Sequence, residues 1–92
     1  MGTSSRFDQN KEAVVGKEGK SIPDFQNGKT VGEIKNAKTV SNTKQLRIHK
    51  EAAQRSGRQH QLHTGENTHV TKPAQQGTNV IRWDFLGPGP PL

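Results

Sequence analysis

The chain contains no cysteine among its 92 residues. Without thiols it forms neither a disulfide framework nor a thiolate zinc site, and the absence is consistent with a reducing compartment. No apolar run is long enough to cross a bilayer, and the N-terminus lacks the apolar segment of a secretory signal. We therefore expect no membrane segment, and any export must depend on a larger carrier protein.

Apolar residues are also scarce. They make up 26% of the chain, and Leu, Ile, Val and Phe together number 17 of 92, just under the level of about one-fifth below which chains tend to stay disordered. This length allows one small domain. We expect a single domain over residues 1–87, with residues 1–10 frayed and a Pro/Gly-rich tail at 88–92. Its core must be thin, so a partner, a metal or a further segment would add stability.

Positive charge is abundant and localised. The chain has 14 Lys and Arg against eight Asp and Glu, a net charge of +6. Eight of the basic residues and only two acids lie between Lys29 and Arg58, while the rest of the chain has six of each. A concentrated basic field attracts a phosphate backbone and gives salt-dependent affinity. The sequence therefore indicates a nucleic-acid partner.

The stretch from Ser21 to Lys35 predicts a β-hairpin. Asn27-Gly28 lies between two short segments with apolar residues, and this dipeptide favours a type I′ turn, which needs φ > 0 at both central residues. A two-residue loop also determines which residues pair across the strands. The expected pairs are Gln26 with Lys29, Asp24 with Val31, and Ile22 with Glu33.

Because side chains alternate along a strand, this register puts Asp24, Glu33 and Lys35 on one face, together with Val31. Asp24 and Glu33 are then diagonal neighbours about 7–8 Å apart at the backbone, close enough to hold one divalent cation between their carboxylates. Such an ion polarises a phosphate and acidifies a water, which a neighbouring lysine orients or deprotonates. The pattern predicts a phosphodiester-cleaving site.

Three motifs carry a family resemblance: Pro23-Asp24, then Glu33-Ile34-Lys35, then a helix that opens Asn42-Thr43-Lys44-Gln45-Leu46-Arg47. Together they resemble the PD-(D/E)xK restriction-endonuclease-like superfamily, in particular the short nuclease domains of bacterial polymorphic toxins. The resemblance runs from about Lys11 to Phe85. It implies an α/β fold with a restriction-endonuclease-like core that lacks a full first helix.

The resemblance also implies roles for individual residues. Asp24, Glu33 and the Ile34 carbonyl would bind a divalent metal, with Mg²⁺ expected and Mn²⁺ or Zn²⁺ as alternatives. Lys35 would activate the water, and Gln45 would face the active site. Relatives often take a further acid from the opening helix, and here Glu12 is the candidate ligand, with Asp8 behind it.

The remaining elements follow from periodicity and end signals. The hairpin spans about residues 20–36, and one principal helix spans about 43–56, with Asn42 as N-cap and Gln45 at the capping-box position. Leu46, His49 and Ala53 share its inner stripe. A modest strand is expected at Ala13–Lys17, and two further strands at Gln59–Thr64, with Leu62 inward, and at Asn79–Leu86, with Ile81, Trp83 and Phe85 on one face. These elements predict a small mixed β-sheet.

Two groups of polar residues are predicted to have roles other than catalysis. The basic residues expected to contact nucleic acid are Lys38, Lys44, Arg47 and Lys50. His60, His63 and His69 superficially match a zinc cluster, but residues three apart on a strand face opposite sides. We therefore assign these histidines to the surface or to phosphate contacts.

The resulting prediction is a metal-dependent endonuclease that acts as a bacterial antagonistic toxin. DNA is the preferred substrate because no aromatic platform is left to stack unpaired bases. The alternatives are a tRNA-cleaving toxin of the same fold, a non-catalytic basic nucleic-acid-binding module, and a disordered segment that folds on a protein partner. Family context implies an acidic immunity protein as partner. It also implies delivery as the C-terminal part of a larger effector that acts in the target-cell cytoplasm.

Overall fold

The computed structural model describes residues 11–89. This part of the chain forms eight short strands and two helices. In chain order they are β1 (Val14–Gly16), β2 (Gly19–Ser21), β3 (Phe25–Gln26), β4 (Thr30–Ile34), β5 (Thr39–Val40), α1 (Lys44–Arg55), β6 (Gln59–Gly65), β7 (His69–Val70), α2 (Lys72–Gln75) and β8 (Asn79–Trp83).

The main sheet has four strands in the order β3-β4-β6-β8. β3 pairs antiparallel with β4, whereas β4 with β6 and β6 with β8 are parallel. An antiparallel ribbon, β1-β2, and a parallel pair, β5-β7, flank this sheet. The predicted mixed α/β architecture is confirmed, with one principal helix followed by two further strands of the main sheet, β6 and β8.

Helix α1 follows the predicted bounds closely, but its cap differs. Thr43 is the N-cap, and its hydroxyl accepts a hydrogen bond from the Leu46 N–H at 3.2 Å. The prediction of Asn42 as N-cap was wrong by one residue, because Thr43 already has the extended conformation that a cap requires. At the other end Gly57 has φ +68° and Arg58 N donates to Ala53 O, so α1 ends in a Schellman motif.

One face of the main sheet lies beneath α1. In parallel register Val31 pairs with His60 and Glu33 with Leu62, so these four side chains point to the same face. The core is thin, as the composition predicted. It consists of two clusters of buried apolar residues, one formed by Val40, Leu46, Leu62, Val70 and Ala74 and the other by Val14, Ile48 and Ala52.

The opposite face of the sheet carries an aromatic row. The Phe25 ring meets His63 edge-on at 5.4 Å, and His63 stacks on Trp83 at 6.0 Å. The predicted last strand included Phe85, but β8 ends two residues earlier, at Trp83. The centre of the Phe85 ring still lies 5.5 Å from that of the Trp83 ring. Trp83 is 41% exposed and Phe85 73% exposed. The last strand therefore leaves these rings accessible.

The hairpin is present, but its turn and register differ from the prediction. Gln26 pairs with Val31 instead of Lys29. Neither Asn27 nor Gly28 has positive φ, so no type I′ turn forms. The reason is local: the Asn27 side-chain oxygen accepts from the backbone N–H groups of residues 29 and 30, which stabilises a longer loop. A shift of two residues leaves every paired side chain on its predicted face.

The remaining predictions concern the two ends of the chain, the domain boundary and a membrane segment. The frayed segment at 1–10 and the last three residues of the tail lie outside the described residues. The division into a domain at 1–87 and a tail stays a prediction. In the described range, 11–89, no helix has the length and apolar content that a bilayer crossing requires.

Candidate metal centre and active site

A carboxylate and two imidazoles meet beneath α1. Glu33 lies on β4 and is 1% exposed, because the alternation of the strand turns its side chain toward the helix. Its Oε1 atom lies 2.8 Å from His49 Nδ1, and its Oε2 atom lies 2.6 Å from His60 Nε2. His49 and His60 are themselves buried. Each carboxylate oxygen therefore has its own imidazole partner.

Each histidine is oriented by a hydroxyl on its outer nitrogen. His49 projects from the buried stripe of α1, and its Nε2 atom lies 2.9 Å from Ser21 Oγ on β2. His60 lies near the start of β6, and its Nδ1 atom lies 2.5 Å from Thr78 Oγ1, just before β8. The cluster and its hydroxyl partners therefore come from β4, α1, β6, β2 and the residue just before β8.

The electrostatics of the cluster keep Glu33 ionised. Burial raises the pKa of Glu33, but its interactions with His49 and then His60 outweigh burial and lower this pKa to about 2. At neutral pH the side chain is a carboxylate anion. A buried anion of this kind is stable only with partners that donate protons or supply positive charge.

The donor atoms are arranged as ligands of one ion would be. One ligand atom from each of Glu33, His49 and His60 lies within 4.8 Å of the others. His49 Nδ1 is buried and makes no hydrogen bond of acceptable geometry, although it lies close to the carboxylate. A buried nitrogen without a hydrogen bond is rare and indicates a site whose natural partner is another group. The donor set fits a divalent ion.

Asp24 does not join this cluster. It lies in the bend before β3 and is exposed, and its Oδ2 atom accepts a hydrogen bond from the Ile34 N–H at 2.8 Å. Backbone N–H groups of a strand point along the sheet plane toward the neighbouring strand. The Asp24 carboxylate therefore sits at the β3 side of β4, whereas the Glu33 side chain extends above the sheet. A shared Asp24–Glu33 ion stays a prediction.

Lys35 and Gln45 come together at the other end of α1. Both line a cavity of about 230 Å³ with Thr43 and Leu46, at the point where β4 leads toward the helix N-terminus. Lys35 is half-buried and directly follows β4, two residues after Glu33, so continued strand alternation would place both side chains on the same face. The catalytic roles of Lys35 and Gln45 stay predictions.

A family model described as Restriction endonuclease fold toxin 7 matches residues 3–74. The chain belongs to this family. No curated protein and no solved structure matched the chain in the same comparisons.

Within this restriction endonuclease fold toxin, the matched region contains the hairpin, α1 and β6, and with them Glu33, His49 and His60. Thr78 and β8 lie beyond residue 74. The family match therefore confirms the predicted resemblance and fold, while the strand that completes the sheet lies outside the match.

Two other predicted ligands of the toxin lie apart from the imidazole cluster. Glu12 is exposed, and its backbone carbonyl accepts a hydrogen bond from the Gln26 side chain at 2.9 Å. The Ile34 side chain is exposed on the opposite face of β4 from Glu33. Metal binding by Glu12 and by the Ile34 carbonyl stays a prediction.

The predicted nucleic-acid contacts of the toxin fall into two groups. Lys38 and Lys44 are exposed. Arg47 pairs with Glu18 at 2.7 Å, and the Lys50 ammonium donates to the Pro73 carbonyl at 3.0 Å. Burial lowers the pKa of Lys50, which lies partly inside a cleft and not on the open helix face. Arg47 and Lys50 therefore have structural partners that a phosphate would have to share or replace.

The histidines of the toxin need one correction. His60 and His63 face opposite sides of β6, as predicted, which excludes their joint zinc site. The placement of His60 at the surface was wrong, because its side chain is buried against Glu33. The sequence contained a signal for this burial: His60 lies two residues before Leu62, which was predicted to point inward, so both side chains share a face. In the same way His49 lies on the inner stripe of α1 with Leu46 and Ala53. A histidine within such an apolar pattern indicates a buried side chain with a polar partner.

Proposed function

We propose that this toxin-family chain is a metal-dependent endonuclease that hydrolyses phosphodiester bonds in DNA. The single observation that carries the proposal is the arrangement around β4: Glu33 is a buried carboxylate whose pKa is lowered to about 2, and Lys35, directly after the strand, lines a cavity together with Gln45. An anionic ligand, an amine and an amide in this order suit the hydrolysis of a phosphate diester.

The family implies a divalent ion, and the residues proposed to hold it are Asp24, Glu33 and the Ile34 carbonyl, with Glu12 as a further ligand. The fit is supported by the ionised state of Glu33 and by the His49 nitrogen that lacks a hydrogen bond. A bound divalent ion supplies Lewis acidity toward the phosphate oxygen and makes a water more acidic.

The other catalytic tasks belong to side chains of the chain itself. The Lys35 amine would orient the attacking water, accept its proton, or neutralise the charge that develops on the phosphate. The Gln45 amide would donate to a phosphate oxygen or to that water from the same cavity. Lys38, Lys44, Arg47 and Lys50 would contact the phosphate backbone, which predicts weaker binding at higher salt.

A tRNA-cleaving toxin is the second candidate. Recognition of RNA loops relies on stacking of unpaired bases on aromatic rings. The observation that favours this candidate is the exposure of Trp83 and Phe85, whose rings lie 5.5 Å apart on the open side of the sheet. The absence of an aromatic platform, which favoured DNA, therefore no longer separates the two substrates.

The biological role we propose is bacterial antagonism. The chain would be delivered as the C-terminal part of a larger effector and act in the cytoplasm of the target cell. A cognate immunity protein with an acidic surface would cover the basic face, since complementary charge speeds association and selects the partner. Its binding would also add stability to a chain with a thin core.

Digestion of plasmid DNA and of tRNA tests the proposal. We expect cleavage of plasmid with Mg²⁺, loss of cleavage with EDTA, and a decrease of at least about 100-fold for Lys35→Met, since a positioned proton-transfer group contributes on that scale. Lys20→Met, at an exposed position on β2, is the matched control and should retain activity.

Three outcomes would contradict or redirect the proposal. Cleavage that survives both EDTA and Lys35→Met would exclude the mechanism. DNA binding without cleavage, unaffected by Asp24→Ala and Lys35→Met, would identify a non-catalytic binding module. Preferential cleavage of tRNA, lost in Trp83→Ala, would assign the second candidate.

A further inference from the structure

Both ring nitrogens of His60 have a close polar neighbour. On the outer side of the ring, Nδ1 lies 2.5 Å from the Thr78 hydroxyl, which also lies 3.3 Å from the His60 carbonyl. On the inner side, Nε2 faces the Glu33 Oε2 atom at 2.6 Å. A metal bound at Nε2 would use the lone pair of a neutral ring whose Nδ1–H donates to Thr78.

The His49 side of the same carboxylate is close but lacks a regular hydrogen bond. His49 Nδ1 lies 2.8 Å from Glu33 Oε1, yet it makes no hydrogen bond of acceptable geometry. The three side chains therefore bring two imidazole nitrogens and one carboxylate together in a buried position. One ion bound to both nitrogens and to Glu33 would use all three donors.

We propose that Glu33, His49 and His60 bind one divalent transition-metal ion of the Zn²⁺ class. Imidazole nitrogen suits Zn²⁺, Co²⁺ and Ni²⁺, whereas Mg²⁺ prefers oxygen ligands with near-octahedral geometry. Two imidazoles and one carboxylate are also a donor set that zinc uses with an open fourth position. Donor atoms of tetrahedral zinc lie roughly 3.3 Å apart, so binding would require the imidazole nitrogens to move outward from their metal-free contacts with Glu33 at 2.8 and 2.6 Å.

The outer hydrogen bonds support the same assignment. Histidines that bind a metal usually use their other ring nitrogen for a hydrogen bond that holds the ring in orientation. Both histidines do so here, His49 through Ser21 and His60 through Thr78. Thr78 lies outside the segment that matches the family, so this part of the site belongs to the chain's own continuation.

The cluster lies beside an open cleft. His60 borders this cleft of about 880 Å³, which lies between α1, the start of β6 and the loop before β8. The polar residues Gln54, Gln76 and Asn79 lie along its walls. The His60 side chain itself is fully buried.

This inference deepens the proposed function and rests on it for the role of Glu33 as a metal ligand. It adds His49 and His60 to the metal ligands, and it changes the preferred ion from Mg²⁺ to one of the Zn²⁺ class. Binding is measured here in the absence of nucleic acid, so the inference and the nuclease activity are tested separately.

The first experiment uses the unmodified chain after treatment with EDTA. Titration calorimetry with Zn²⁺ should give one site per chain, and Zn²⁺ should raise the thermal unfolding midpoint while Mg²⁺ at the same concentration does not. Co²⁺ should give the strong visible absorption of a low-coordinate site. Failure of Zn²⁺ and Co²⁺ to bind would overturn the proposal.

Variants locate the site. Thr78→Val keeps the side-chain volume but removes the partner of His60, and it should weaken Zn²⁺ binding by about 10- to 100-fold. Thr68→Val is the matched control, because Thr68 is also buried and hydrogen-bonded but donates to Ala37. Equal Zn²⁺ affinity in Thr78→Val and the unmodified chain, each with an unchanged circular dichroism spectrum, would contradict the site.

A second pair compares the two faces of β6. His60→Gln should abolish the Co²⁺ absorption, whereas His63→Gln, on the aromatic face, should keep it. Loss of the absorption in His63→Gln alone would overturn the ligand set. Zn²⁺ binding without cleavage by any metal would support this inference and contradict the nuclease, and Mg²⁺-dependent cleavage without Zn²⁺ binding would do the reverse.

Discussion

Glu33 shows how neighbours determine what a single side chain does. The Glu-x-Lys spacing predicted a metal-binding carboxylate on the same face as Lys35, and in the structure the Glu33 side chain is buried beneath α1. Its buried position and its two imidazole partners come from α1 and β6, which lie far away in sequence. Those partners lower the pKa of Glu33 to about 2. The same residue type thus has a different environment from the one that the motif alone implied.

The metal-free chain should lose stability in acid because of Glu33. Its pKa falls from 4.5 to about 2 on folding, so its contribution is complete above about pH 4.5 and decreases as the pH falls toward 2. The total is about 3 kcal/mol. Urea unfolding in EDTA between pH 2.5 and 6 should show this slope.

Glu33→Gln should flatten that dependence, since glutamine does not titrate, and the exposed Glu66→Gln should leave it unchanged. A slope that persists in Glu33→Gln would mean that other carboxylates cause the acid sensitivity.

At the scale of elements, α1 and the hairpin show where local signals succeed. The inner stripe of α1 was predicted from spacing alone, and Leu46, His49 and Ala53 are all buried. The cap was predicted one residue early, and the hairpin register differs by two residues. In the turn, the Asn27 side chain accepts from two backbone N–H groups, whereas at the cap Thr43 and not Asn42 makes the capping hydrogen bond. Both outcomes depend on geometry that a sequence pattern does not contain.

The assignment of Thr43 as the cap predicts a clear difference between neighbouring variants. Thr43→Ala removes the acceptor of the Leu46 N–H and should lower the free energy of unfolding by about 1 kcal/mol. Asn42→Ala should change it little, because the Asn42 side-chain oxygen is buried without a hydrogen bond. Urea denaturation of both variants measures this difference, and a larger loss for Asn42→Ala would restore the original assignment.

Two glycines test the turn geometry in the same way. Gly57 has φ +68°, so Gly57→Ala should destabilise the chain by about 1 kcal/mol. Gly28 lacks positive φ and has open space around it, so Gly28→Ala should be neutral or slightly stabilising. Thermal unfolding of the two variants provides the comparison. A loss at Gly28 equal to that at Gly57 would indicate a type I′ turn.

At the scale of the whole molecule, β8 completes what the matched segment begins. It pairs with β6, and Val80 packs against the larger core cluster. Thr78, just before it, orients His60. The family match ends at residue 74, so the sheet and the site both depend on chain beyond the match.

Removal of β8 should therefore unfold the chain. A chain that ends at Gly77 would expose the edge of β6 and part of a core that is already thin, so we expect loss of cooperative thermal unfolding by circular dichroism. A chain that ends at Gly89 is the control and should keep the transition, because it retains the contact of Gly87 with Asn36. An unchanged midpoint in the shorter chain would show that β8 adds no stability.

The sequence by itself determined the principal helix, the hairpin, the basic segment and the family, because periodicity and short motifs act over a few neighbouring residues. Only the tertiary structure decided that Glu33 is buried, that His49 and His60 hold its two oxygens, and that Asp24 binds the Ile34 backbone. Those contacts join residues that lie 10, 16 and 27 positions apart. The physical reason is that a side chain's partners across packed elements depend on strand order and helix position, and neither is encoded in local spacing.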